Sequence, residues 1–134
     1  MGDDASHESA RVKLRLAPEA RWVCAPGGAF QDLRERHSVR RLLQKLVDHQ
    51  REAPGRGLSL PELREAGWPG ERMLPDAASN RIYVAMTQLR KLGLKAWLKR
   101  SDEGYFLDPA LPVDHMSDAP SEDAAVAARR RAGA

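Results

Sequence analysis

The sequence predicts an α+β domain of short antiparallel strands, three helices and a C-terminal β-hairpin. Three observations lead there. In residues 79–93, S-N-R-I-Y-V-A-M-T-Q-L-R-K-L-G, the apolar Ile82, Ala85, Met86, Leu89 and Leu92 recur at helical spacing, a stripe that faces a core. V-K-L-R-L at residues 12–16 alternates apolar and charged with the period of a half-buried strand. A-W-L-K-R and Y-F-L-D are β-prone segments separated by Ser101-Asp102-Glu103-Gly104, which reads as a hairpin.

Size and composition bound the rest. A chain of 134 residues has room for one domain with a modest core. Its formal charge is only +3, yet the pI is near 9.3 and cations are concentrated in one quarter of the chain. The single cysteine, Cys24, excludes an internal disulfide or a thiolate metal site, which fits a reducing compartment, and it is read as a small core residue. No apolar run approaches the roughly 18 residues of a spanning helix, and the first residues lack a signal-peptide pattern. The expected setting is cytoplasmic, with no membrane contact.

Taken in order, residues 1–10 are polar, acidic and without period, a disordered lead-in. Residues 11–33 hold two or three strands of a small antiparallel sheet. Pro26-Gly27-Gly28 there lacks the Gly-Lys-Ser/Thr ending of a phosphate loop and reads as a hairpin turn. A first helix spans 38–53, with Ser38 as N-cap, Val39, Leu42, Leu43, Leu46 and Val47 inward, and Ala53-Pro54-Gly55 as its stop. A second, at 60–67, opens with the capping box Ser59/Glu62, tolerates Pro61 in its first turn and is closed by Gly67. W-P-G-E-R-M-L-P, residues 68–75, is a loop. The third helix spans 76–92, with Asp76 as N-cap and Gly93 as the C′ residue. The hairpin occupies 96–108. Residues 113–134, acidic and then Ala-rich around Arg129-Arg130-Arg131, read as a disordered tail outside the domain of residues 11–112.

The outward side of the third helix carries the functional signal. It displays Asn80, Val84, Thr87, Gln88 and Lys91, with Arg81 on one shoulder and Tyr83 and Arg90 on the other. No Asp or Glu occurs between Asp76 and Asp102, whereas Arg81, Arg90, Lys91, Lys95, Lys99 and Arg100 all do. A solvated helix ordinarily alternates Glu and Lys at i, i+4. An acid-free face with outward amides suits a polyanion with base edges. The competing reading is a cationic patch without a ligand.

Strands, helix, short helix, loop, longer helix and hairpin follow one another as in a winged helix. L-L-Q-K-L-V, L-S-L-P-E-L-R-E-A-G-W, N-R-I-Y-V-A-M-T-Q-L-R-K-L and G-Y-F-L, within residues 12–108, resemble the output domain of OmpR/PhoB-type regulators. The resemblance implies a four-stranded N-terminal sheet, a three-helix helix-turn-helix variant and a hairpin wing. It implies sequence-specific duplex-DNA binding by a transcriptional regulator, acting as a monomer or weak dimer. The family's base-reading places fall on Asn80, Arg81, Val84, Thr87 and Gln88, and Arg90, Lys91, Lys95, Lys99 and Arg100 suit phosphates. The loop with Trp68, Glu71, Arg72 and Met73 is implied to touch RNA polymerase or another regulatory protein. This chain departs from the family pattern at Asn80, Thr87 and Gln88, where relatives carry more cations, and at the acidic hairpin tip, Asp102 and Glu103. Residues 1–10 are also too short for a receiver domain. The acidic tip favours the runner-up, a winged-helix protein-interaction module.

Other chemistries are poorly served. His7, His37, His49 and His115 lack ligand spacing, no nucleophile elbow is present, and Asp102-Glu103 sit on a turn too small to bury them. Neither an enzyme, a metal nor a cofactor is expected. Trp68, Trp97, Tyr105 and Phe106 read as core or interface anchors in preference to platforms for stacked bases.

Overall fold

The computed structural model describes residues 13–27 and 30–116. The expected lead-in, the first residues of the first strand, Gly28 and Ala29 of the turn, and the tail beyond Met116 lie outside these. The fold is α+β, with three α-helices and two small sheets among the described residues. Strands β1 (Leu14–Leu16), β2 (Trp22–Cys24) and β3 (Phe30–Asp32) precede helices α1 (His37–Glu52), α2 (Leu60–Gly67) and α3 (Pro75–Leu89). Strands β4 (Leu98–Ser101), β5 (Gly104–Leu107) and β6 (Val113–His115) follow.

The larger sheet has the order β3-β2-β1-β6. Its first three strands are antiparallel, but β6 lies parallel to β1, with Leu14 opposite Val113 and Leu16 opposite His115. Residues 113–115 are therefore part of the domain and not the start of a tail. What returns them is α1: the Gln50 side-chain amide donates to the carbonyls of Asp108 at 2.8 Å and Leu111 at 3.0 Å, and Leu111 is buried. Leu14 and Leu16 point into the core with Val23. Two-residue periodicity sends Arg15 and Cys24 to the other face, so Cys24 is half-buried and not the core residue its neighbours suggested. Burial still pushes its thiol pKa up.

One core unites the helices and both sheets. Leu42, Leu46, Leu63, Ile82, Met86 and Leu89 all belong to it and are almost wholly inaccessible. Leu92 packs partly against it. Two of the expected caps are corrected. Helix α1 begins at His37 with Arg36 as N-cap residue, so Ser38 lies in the first turn and caps nothing. Helix α3 begins at Pro75, whose fixed φ suits the first helical position, with Leu74 as N-cap residue. Asp76 sits in the first turn, where its charge meets the positive end of the helix dipole.

At α2 the capping box is formed: Ser59 Oγ accepts from the Glu62 N–H at 3.3 Å, and Glu62 Oε1 accepts from the Ser59 N–H at 3.3 Å and from its hydroxyl at 2.9 Å. The hydrogen bonds from Ser59 hold the Glu62 carboxyl below its ordinary pKa. Gly67 does not end α2 in the left-handed region. It is the last helical residue, and a Cβ there would meet Leu42 Cγ at 3.1 Å, so its role is close approach of α2 to α1.

Helix α3 stops being regular three residues earlier than 92. Arg90–Leu94 form a π turn, within which Gly93 has φ 121°. A Cβ on Gly93 would lie 2.6 Å from that of Ala25, so glycine is required both by conformation and by contact with the sheet.

Candidate functional site

Helix α3 runs across the domain with Ala78, Ile82, Ala85, Met86 and Leu89 buried beneath it. At about 100° per residue the opposite direction falls near Asn80 and Lys91, with Thr87 and Val84 on either side. Asn80, Arg81, Val84 and Lys91 are exposed, while Thr87, Gln88 and Arg90 are half-buried. Val84 leaves 46% of its surface in solvent and Tyr83 59%, large values for apolar groups in the middle of a helix. The Thr87 hydroxyl donates to the Tyr83 carbonyl at 3.0 Å, so its proton is committed to the helix and only its lone pairs and methyl face outward.

The face is bordered on both sides. Along the shoulder that holds Arg81 and Gln88 stand the start of α1 and the 68–74 loop. Arg36 Nη2 donates to Gln88 Oε1 at 3.3 Å, and Arg81 Nη1 lies 3.8 Å from Glu71 Oε1. Between these elements is a cleft of about 460 Å³, whose walls include Arg36, His37, Arg41, Trp68, Glu71 and Gln88. Trp68 packs partly against the core and anchors the loop, whereas Glu71 and Arg72 are exposed and Met73 is half-buried. Leu74, which the sequence reading did not single out, is the most exposed large apolar residue among the described residues, at 77%.

The opposite shoulder is the hairpin. The Arg90 guanidinium lies 6.0 Å and that of Arg100 5.3 Å from the centre of the Tyr105 ring. Tyr105 is 4% exposed, so its ring holds two cations and is closed to a stacked base. Lys99 pairs with Phe106 in the register and projects to the other side of the hairpin from Arg100. Lys91 and Lys95 are exposed on and just beyond the π turn. The five expected phosphate ligands are thus divided: Arg90 and Arg100 are gathered on one ring, Lys91 stands beside the outward face, and Lys95 and Lys99 flank the hairpin's base and back.

The hairpin is tied down by a backbone bridge to Leu58: Leu58 N–H donates to the Tyr105 carbonyl at 2.7 Å, and Tyr105 N–H to that of Leu58 at 3.1 Å. At the tip, Glu103 is paired with Arg56, Oε2 to Nη2 at 3.1 Å, which offsets one of the two acidic charges. Asp102 has no ion-pair partner among the described residues. No cluster of three or more metal-ligating side chains occurs among the described residues, and no helix there is long and apolar enough to cross a membrane.

The sequence reading missed Arg36 because it meets a residue 52 positions away, with no local periodicity to announce it. The cradle under Arg100 had a local signal, since Arg100 stands directly opposite Tyr105 across the hairpin. No protein-family model matches the chain, and comparison with curated proteins and with solved structures finds no match either.

Proposed function

We propose that this domain is a winged helix that binds duplex DNA sequence-specifically as a transcriptional regulator, with α3 in the major groove and the β4–β5 hairpin as the wing. The observation that carries the proposal is the outward face of α3: exposed, free of acids from Ala77 onward, and bordered by Arg36 on one side and by Arg90 and Arg100 on the other. In that role Val84 meets a thymine methyl, the Asn80 amide pairs with adenine and Arg81 with guanine, and the Thr87 hydroxyl accepts from a base amino group. Arg90, Lys91, Lys95, Lys99 and Arg100 contact phosphates, which fix orientation without reading sequence. Pairing of Glu103 with Arg56 supports the reading further, because it removes part of the repulsion an acidic tip would meet at a groove.

Titration of labelled duplexes at two salt concentrations tests this. Lys91→Ala should weaken preferred and random duplexes alike and flatten the dependence of log affinity on log salt by about 0.9 per lost phosphate contact. Gln88→Ala should leave that slope unchanged and cost about 1–3 kcal/mol on the preferred duplex alone. If both variants bind every duplex as the wild type does, α3 is not a reading helix. The second reading, a protein-interaction module, then takes its place. The feature that favours it is the exposed Leu74 beside Glu71 and Arg72, on the loop bordering α3.

A further inference from the structure

We infer that Arg36 sets which base Gln88 reads, by holding the side-chain amide so that Gln88 offers a donor, and that the pair selects guanine over adenine. This rests on the DNA-binding reading above and goes beyond it in naming a specificity residue outside α3 and the base it dictates.

Both residues are half-buried where the start of α1 meets α3, and Arg36 is fixed from its backbone outward. Its N–H donates to the Leu33 carbonyl at 3.0 Å, and its own carbonyl accepts the Arg40 N–H at 2.9 Å. From that seat Nη2 reaches Gln88 Oε1 at 3.3 Å. An amide's oxygen and nitrogen are easily interchanged, but a guanidinium has five donors and no acceptor, so the chemistry of Arg36 itself decides that the oxygen faces it.

The consequence lies on the other side of the amide. Adenine is read by glutamine through two bonds, with Oε1 accepting from N6 and Nε2 donating to N7. Here the N6 amino group would have to approach an oxygen already facing a cation, its positive hydrogens against a positive guanidinium. Guanine presents N7 and O6, both acceptors, to Gln88 Nε2, the donor that Arg36 leaves facing outward by holding Oε1. Arg81, on the same shoulder, is another donor-only group, with its charge partly met by Glu71 at 3.8 Å.

The test begins with duplexes that the wild-type protein selects from a randomised library. The base pair read by Gln88 is the one whose preference Gln88→Ala abolishes. Guanine is expected there, preferred over adenine by about 5- to 150-fold, the range of one good base contact. Arg36→Ala should erase that preference or turn it towards adenine at this pair and no other, with thermal stability unchanged. Arg36→Lys, which keeps a cationic donor, should restore much of it. In a Gln88→Ala background, Arg36→Ala should alter no preference, because its effect passes through the amide. A uniform loss on all duplexes with a flatter salt dependence and an intact consensus would make Arg36 a phosphate contact and overturn the inference, as would selection of adenine by the wild type. In both cases DNA binding itself stands. If the wild type enriches no sequence at all, the proposed function and this inference fall together.

Discussion

Gly104→Ala tests how the hairpin is held to the body of the domain. Gly104 has φ 139°, a region that residues with a Cβ rarely adopt, and a Cβ there would overlap the Leu58 carbonyl oxygen. Backbone must therefore move, and the bridge between Leu58 and Tyr105, with hydrogen bonds of 2.7 and 3.1 Å, is what stands in the way. Conformational strain of about 1–3 kcal/mol and loss of two hydrogen bonds at about 1 kcal/mol each give a destabilisation of about 3–5 kcal/mol. For a domain near 100 residues, at about 4 °C per kcal/mol, the thermal midpoint should fall by about 12–20 °C. Calorimetry on the two proteins measures it directly. Since the bridge also seats Tyr105, the ring under Arg90 and Arg100, duplex affinity measured well below the midpoint should drop as well. A midpoint within about 3 °C of the wild type would mean that the hairpin tolerates the overlap by swinging freely, and the geometry drawn for that shoulder would be wrong.

Leu89→Ala truncates a fully buried side chain where α3 passes into the π turn, and chemical denaturation should show a loss of about 2–5 kcal/mol. At the hairpin tip, Asp102→Asn should tighten duplex binding at low salt more than Glu103→Gln does, because Arg56 already offsets Glu103; equal effects of the two changes would argue against that pairing in solution. Ser59→Ala should cost about 1 kcal/mol at neutral pH as a lost helix cap. Because the folded-state pKa of Glu62 is depressed, its contribution is complete above the ordinary value of 4.5 and is lost as pH falls through the lower folded value. The stability gap between wild type and Ser59→Ala should therefore narrow as pH falls below the ordinary value of 4.5, and a constant gap in thermal midpoints across that range would show that the carboxylate takes no part.

What the sequence made legible was local or periodic. The helical stripe from Ile82 to Leu89 and the capping box at Ser59 and Glu62 need only a few neighbouring residues to be recognised, and both are present in the fold. The helix starts were less readable. Ser38 and Asp76 are good capping residues by type, but Arg36 and Leu74 hold those positions and neither has a side-chain capping bond. Strand β6 is three residues, V-D-H, with no alternation long enough to register, and its partner β1 lies about a hundred positions earlier. The borders of the candidate site share that difficulty. Asn80, Val84 and Lys91 could be assigned to one face by helical period alone, whereas Arg36 beside Gln88 and Glu71 beside Arg81 depend on how separate elements meet.

The parallel pairing of β1 with β6 also has a mechanical consequence. The first described strand and the last run side by side in the same direction, joined further by Leu14 N–H to the Pro112 carbonyl and Met116 N–H to the Leu16 carbonyl, each at 2.9 Å. Tension applied between Lys13 and Met116 draws the two strands past one another along their length. The bonds between them are then loaded together in shear, where an antiparallel pair pulled from one end would peel open one bond at a time. A domain tethered through both flanks is thus clasped shut by its first and last described strands, and the helices between them feel a pull only after that clasp has slipped.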